Sequence, residues 1–275
     1  MKNLLPASVV AAVLSISAAQ AGNIVLTGHD DDFHQSDAAD KQVKGALAFI
    51  RGGSTLPVLT FDSGIQLTNL LTTLGVSYVN VNPNNAASVT DALFDHTLYS
   101  AFAVASQSSC GGCDNSPTRV NNIAAHSTAI ASFFNAGGGI LGLAAAQDAN
   151  GYAYVPESAT NAGGSPNSSN HFQTTAGEAL GITAVNGDAT HNFFSTPGTT
   201  GLNAGFQVVE EERDPNGSGG FTVTPLTIAF ADGTIGSGGG LTGGGGGGTA
   251  VPEPAALGLL GSALAGLAML RRRRA

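Results

Sequence analysis

Between residues 22 and 235 the chain predicts an α/β domain built on a doubly wound parallel sheet. Three observations lead there. Short runs such as NIVLTG, LPVLTFD and GILGL are apolar with little alternation, as strands buried on both faces require. Stretches with apolar residues at helical spacing separate them. Polar and titratable residues gather directly after the apolar runs, at what would be one edge of the sheet.

The elements follow in order. Asn23–Gly28 is the first strand. Ser36 offers an N-cap oxygen to a helix over Asp37–Ile50, with Val43, Leu47 and Ile50 on one face. Asp37/Lys41 and Asp40/Lys44 are i,i+4 pairs in the favourable orientation. Leu56–Asp62 is a second strand, and Ile65–Leu74 a Leu-rich helix stopped by Gly75. Ser77–Asn82 alternates and reads as a third strand; Ser88 caps a short helix to Phe94. Ser100–Gln107 is the fourth strand, Thr118–Asn135 a long helix and Gly139–Leu143 the fifth strand. Beyond Ala146 the pattern loosens. Asn150–Asn170 is a polar loop, Thr174–Leu180 a short helix, and Phe206–Glu211, Phe221–Thr224 and Leu226–Phe230 are later strands. Right-handed crossovers between parallel strands give this series a flavodoxin-like layout.

Charge is sparse and uneven. The 275 residues carry 11% charged side chains and a formal net charge of −9, against about 25% charged in ordinary domains. The basic residues concentrate at the ends, Lys2 and Arg271–Arg274. Residues 22–250 hold 5 basic and 18 acidic side chains, a net of −13. Such a surface repels phosphate backbones and argues against a nucleic-acid partner. A hydrophobic content of 42% argues against disorder. With no Trp, the core must be built from Ala, Val, Ile, Leu and Phe.

Both ends read as addresses. Lys2, the apolar stretch Leu4–Ala19 and the small-x-small site Ala19-Gln20-Ala21 make residues 1–21 a secretory signal peptide, cut by signal peptidase before Gly22. An uncleaved anchor helix is the other reading. At residues 236–250 the sequence GSGGGLTGGGGGGTA is a flexible Gly-rich linker. Residues 251–275 bring Pro252-Glu253-Pro254, an apolar helix over Ala255–Leu270, and then Arg271, Arg272, Arg273 and Arg274. Sixteen helical residues span about 24 Å, a little short for a bilayer core. Motif, span and basic end, in that order, resemble the PEP-CTERM sorting signal of Gram-negative bacteria. The resemblance implies recognition by an exosortase, transient anchoring in the inner membrane through this helix, removal of the tail, and delivery to the cell surface or extracellular polysaccharide. A plain C-terminal anchor is the simpler reading of the same residues.

Ligands of such sheets bind outside the carboxyl ends of the strands. Those ends present His29-Asp30-Asp31-Asp32-Phe33-His34, Asp62-Ser63, the loop Gln107–Asp114 with Cys110 and Cys113, and Gln147-Asp148. NIVLTGHDDDF, the Cys-Gly-Gly loop and GGGILGLAAA together resemble the class I glutamine amidotransferase-like fold, and within it the trehalose-utilisation (ThuA-like) proteins. That resemblance also matches His191, Gly201 and the acidic pair Glu210-Glu211. It implies a nucleophilic Cys at the centre of a Gly-x-Cys-x-Gly elbow after strand five. Here the run is Gly142-Leu143-Ala144-Ala145-Ala146, and Ala144 has no nucleophile to offer.

Other chemistry remains open at this stage. Cys110 and Cys113 close a small disulfide loop, form a redox dithiol, or serve as a metal or nucleophile pair; export favours the disulfide. His29–His34, completed by His191 and Glu211, offers metal-binding side chains, although no metal or other cofactor is assigned and a solvated acidic loop explains the same residues. The expectation is an exported surface or matrix protein with a non-catalytic binding or structural domain and extracellular polysaccharide as a partner. The competing expectation is a sugar-directed hydrolase or isomerase using His29, Asp30 and His191, with Asp62, Gln147 and Glu211 lining the pocket.

Overall fold

The computed structural model describes residues 21–108, 112–146, 148–155, 159 and 168–243. Among them nine strands form one sheet: β1 (Gly22–Thr27), β2 (Val58–Phe61), β3 (Tyr78–Val81), β4 (Ala101–Val104), β5 (Gly139–Gly142), β6 (His171–Gln173), β7 (Gln207–Pro215), β8 (Phe221–Ile235) and β9 (Leu241–Gly243). Their order is β3-β2-β4-β5-β1-β8-β7-β6, with β9 beside β8. The first five are parallel, and β8, β7 and β6 add an antiparallel wing next to β1. Counted from β2, the parallel strands run 2-1-3-4-5, the flavodoxin-like order, with β1 in the fifth place.

Helices cover both faces. Helix α1 (Asp37–Arg51) and α2 (Gln66–Thr73) bury Val43, Leu47, Ile50, Leu67 and Leu70 against Val25, Val58 and Leu141. Helices α3 (Pro117–Ala124) and α4 (Ser127–Asn135) bury Ile123, Ile130, Phe133 and Phe134 on the opposite face, with Ile24, Phe61, Phe102 and Ile140. A short α5 (Thr175–Leu180) packs Ala176 and Leu180 on the α1 side. The crossover after β2 thus runs over one face and that after β4 over the other. Their carboxyl ends therefore open a crevice where ligands of this architecture bind.

Several boundaries follow the sequence closely. Ser36 caps α1, its hydroxyl accepting from Ala39 N at 3.2 Å. Thr174 caps α5 in the same way. Four expectations change. The long helix read over Thr118–Asn135 is two helices, because Ala125 and His126 turn the chain between them. His126 N donates to Ile123 O at 3.1 Å, and the His126 ring meets Asp91 at 2.6 Å. The helix read from Ser88 to Phe94 is two 3₁₀ turns, Ala86–Ser88 capped by Asn85 and Asp91–Leu93. The runs on either side of Pro225 are one strand, since β1 pairs β8 only from Thr227 onward and the missing N–H of Pro225 costs that ladder nothing. Finally, β9 lies within the stretch read as linker, where Thr242 pairs Thr234 across the sheet.

Phe102 sits at the centre of the α3/α4 face, fully buried, with the rings of Phe61, Phe94, Phe133 and Tyr154 within 6.0 Å. Replacing Phe102 by Ala is expected to cost about 3–5 kcal/mol, read as a lower urea midpoint. The exposed Thr73→Ala change should stay within about 0.5 kcal/mol.

Candidate functional site

The carboxyl end of β1 builds the site. Gly28 is needed there, because a Cβ would lie 1.9 Å from the Asn192 carbonyl oxygen. Gly28 N donates to Leu226 O, His191 N donates to Gly28 O, and Phe194 N donates to Pro225 O, each at 2.8 Å. Residues 191–194 are thereby laid across the ends of β1 and β8. After Gly28 the chain turns: Phe33 N and His34 N both donate to Asp30 O, at 2.8 and 2.9 Å. The turn buries His29, Asp30, Asp31 and Asp32 completely.

Burying so many ionisable groups requires compensation. Glu210 supplies most of it. One of its oxygens accepts from Val185 N at 2.7 Å and faces His29 Nε2 at 3.2 Å. The other accepts from Gln42 Nε2 at 2.8 Å and from Thr227 Oγ1 at 2.6 Å. Burial opposes ionisation of Glu210, but His29 and these donors outweigh it and hold the carboxyl below its usual range. Burial likewise opposes charge on His29, yet Glu210 lifts it to about 9. Burial pushes Asp31 well above the usual carboxylate range. It also raises Asp32 to about 7, although Asp32 accepts from Ser106 N at 2.9 Å.

Outside this core lies a half-open layer. Asp30 Oδ1 is 3.2 Å from His34 Nδ1, and Asp30 Oδ2 is 3.2 Å from His191 Nε2. Asp188 Oδ1 is 3.4 Å from His34 Nδ1. The Asp30 carboxylate beside it raises His191 above its ordinary value. His34 is 44% exposed and His191 20%. His34 and Asp188 border an open cleft of about 510 Å³, lined also by Ser36, Val185, Asn186 and Gly187.

The residues selected from the sequence separate accordingly. His29, Asp30 and His191 come together. Asp62 stands apart at the start of α2, where it accepts from Gly64 N at 2.8 Å and Thr68 N at 3.2 Å; burial raises it to about 6. Glu211 faces Arg213 at 2.6 Å, and its neighbour Glu210 enters the site instead. The cause is a bulge in β7. Register shifts on both sides of Glu210 place Val209 and Glu210 toward the α1 face together. Cys113 is disulfide-bonded, with its sulfur 3.4 Å from Asp30 Oδ2. Cys110 and Gln147 lie outside the described residues, as do residues 1–20 and 244–275. Gln42, His171, Asp188, Asn192 and Thr227 were not foreseen. None belongs to a sequence motif, and only the fold assembles them.

The run after β5 is tightly fixed. Ala144 is fully buried; its N–H donates to His29 O at 3.0 Å and its carbonyl accepts from Gln107 N at 2.9 Å. Ala145 N donates to Asn192 Oδ1 at 2.7 Å. Ala146 has a φ of 47°, a left-handed conformation that an L residue adopts only under constraint.

At the other end of the chain, residues 250–274 match the family model of the PEP-CTERM protein-sorting motif. The chain is an exported protein. It carries the tail that exosortase processes, and PEP-CTERM is thereby the address read at its C-terminus. No curated protein and no solved structure matches the chain. No helix among the described residues is long and apolar enough to cross a membrane.

The buried groups fix the direction of the pH response. With His29 raised from 6.5 to about 9, its contribution is complete below pH 6.5 and is lost as pH rises through 9. Asp32 and Asp62, raised from 3.8 to about 7 and about 6, make the folded chain bind more protons than the unfolded one, so stability also falls as pH rises from about 4 to 7. Glu210 acts oppositely and loses its contribution only as pH falls below its ordinary 4.5. The thermal midpoint should therefore be higher at pH 5 than at pH 9.5. Glu210→Gln should flatten the part between pH 6.5 and 9 and leave the lower part in place. Glu210→Ala, which strands buried His29, should cost about 3–5 kcal/mol in urea unfolding.

Proposed function

We propose that this exported protein works at the cell surface or in the extracellular matrix as a binding or structural protein. In this reading a signal peptide is removed before Gly22, and exosortase removes the C-terminal tail. The central domain is glutamine amidotransferase-like without being an amidotransferase. The observation that carries the reading is Ala144. It occupies the centre of the elbow after β5, is fully buried, and has both backbone groups engaged. No thiol or hydroxyl stands there to attack a carbonyl. Cys113, close to Asp30, is disulfide-bonded, and Cys110 is its proposed partner, so the C-x-x-C loop acts as a staple.

The cleft beside His34 and Asp188 offers an imidazole and a carboxylate to a polar ligand, and extracellular polysaccharide is the partner proposed from the sorting route. Incubation of the secreted protein with polysaccharide from the producing cells should retain it in a pull-down, and Asp188→Ala should reduce retention several-fold. Absence of retention removes the polysaccharide ligand. Intact-mass analysis of the secreted protein should find a chain ending before Arg271; an intact Arg271–Arg274 end would refute processing.

One observation favours a second reading, a sugar-directed hydrolase or isomerase. The Asp30–His191 pair, 3.2 Å apart and joined to the cleft through His34, has the form of an acid/base couple. Turnover of any saccharide that is abolished in His191→Ala would establish that reading over the first.

A further inference from the structure

We propose that Asp30, His34 and His191 form a binding site for a divalent transition-metal ion of the zinc class, opening on the cleft beside Asp188. The inference concerns metal binding alone and holds whether or not the cleft takes a saccharide.

Donor spacing is the first argument. One carboxylate oxygen and two imidazole nitrogens lie within 4.8 Å of one another. The Asp30 carboxylate lies 3.2 Å from each imidazole, through Oδ1 to His34 Nδ1 and through Oδ2 to His191 Nε2. Ligands held about 2.0–2.1 Å from a tetrahedral ion stand roughly 3.3 Å apart.

A second argument comes from unmet hydrogen bonding. Asp30 is fully buried, yet its Oδ1, which faces His34 Nδ1, makes no hydrogen bond; neither does His191 Nε2, which faces the other oxygen, Oδ2. Both contacts are short but not aligned as hydrogen bonds. A cation between the carboxylate and the two imidazoles would take these lone pairs and offset the cost of burying a carboxylate.

Third, the donors are held in place before any ion arrives. Asp30 and His34 share the turn fixed by the two bonds to Asp30 O, and His191 is tied to Gly28 O. A site whose ligands are set by backbone bonds gives up little entropy on binding. Asp188 Oδ1, 3.4 Å from His34 Nδ1, can take a fourth position or orient a water there. Two imidazoles and a carboxylate favour zinc-class ions over Ca²⁺ or Mg²⁺, which take oxygen donors.

The neighbouring trio His29, His171 and Glu210 also lies within 4.8 Å. It is a poorer host. Glu210 already receives four donors, and all three residues are buried. Cys113 is excluded as a ligand by its disulfide.

The test is calorimetric titration of the secreted protein with ZnCl₂ after dialysis against a chelator. One equivalent should bind. His34→Ala and His191→Ala should each weaken binding by about 10-fold or more, while His126→Ala, on the remote Asp91 pair, should leave it unchanged. Co²⁺ in place of Zn²⁺ should give the visible absorption of a low-coordinate site, lost in His191→Ala. Should that variant fail to fold, His191→Gln serves the same purpose, with circular dichroism as the folding check. Absence of stoichiometric binding, or binding and absorption that both survive a folded His191 variant, overturns the proposal.

Discussion

The carboxylate of Glu210 is the constraint on which the functional edge depends. It is fully buried, comes from β7, and gathers donors from α1, β8, the turn after β1 and the backbone at Val185. An ionised carboxylate in that position is tolerable only because every one of these partners is in place. It therefore acts as an anchor that sets the register between the parallel half of the sheet and the antiparallel wing. The His29 imidazole is held against it, and the turn closed on the Asp30 carbonyl follows directly. Asp30, His34 and the mouth of the cleft inherit their positions from a residue that does not touch solvent.

The parallel half of the fold was legible because each strand is an uninterrupted apolar run and each helix carries an apolar face. Local physics and tertiary packing agree there, as in Val25 and Val43 or Phe61 and Phe102. The antiparallel wing was less so. β6 and β9 are three residues long, too short for a period to register, and Pro225 looks like a terminator until its position beyond the end of β1 is known. The break between α3 and α4 has no Gly or Pro to announce it.

Within the site the same division holds. His29, Asp30 and His191 were identifiable from their place after a strand or from a matched motif. Glu210 was visible as half of an acidic pair, but strict alternation along a strand cannot tell which half points inward when a bulge intervenes. His171 and Asp188 sit in Ser/Asn/Gly-rich sequence where a titratable residue has no local reason to be buried or aimed. The C-terminal tail presents the opposite case. There the message lies in composition and order rather than in shape, and it needs no fold to be read.

Placing β1 in the fifth position of the sheet has a consequence for how an exported chain acquires its structure. β1 holds the earliest described residues, yet its two neighbours are β5 and β8, and its Thr27 side chain bonds Thr227, 200 residues away. The central strand is thus seated by the last part of the domain to emerge from any N-to-C translocation. Closure across that distance makes folding slow and late. Until β8 emerges, β1 has a free edge and the turn after it remains in water, where Asp31 and Asp32 keep ordinary carboxylate acidity. The acidic turn is then fully charged and solvated while the chain is in transit. It becomes a buried edge, on which Asp31 and Asp32 retain protons to higher pH, only once β8 closes on β1, so the topology delays assembly of the site until the last strands are in place.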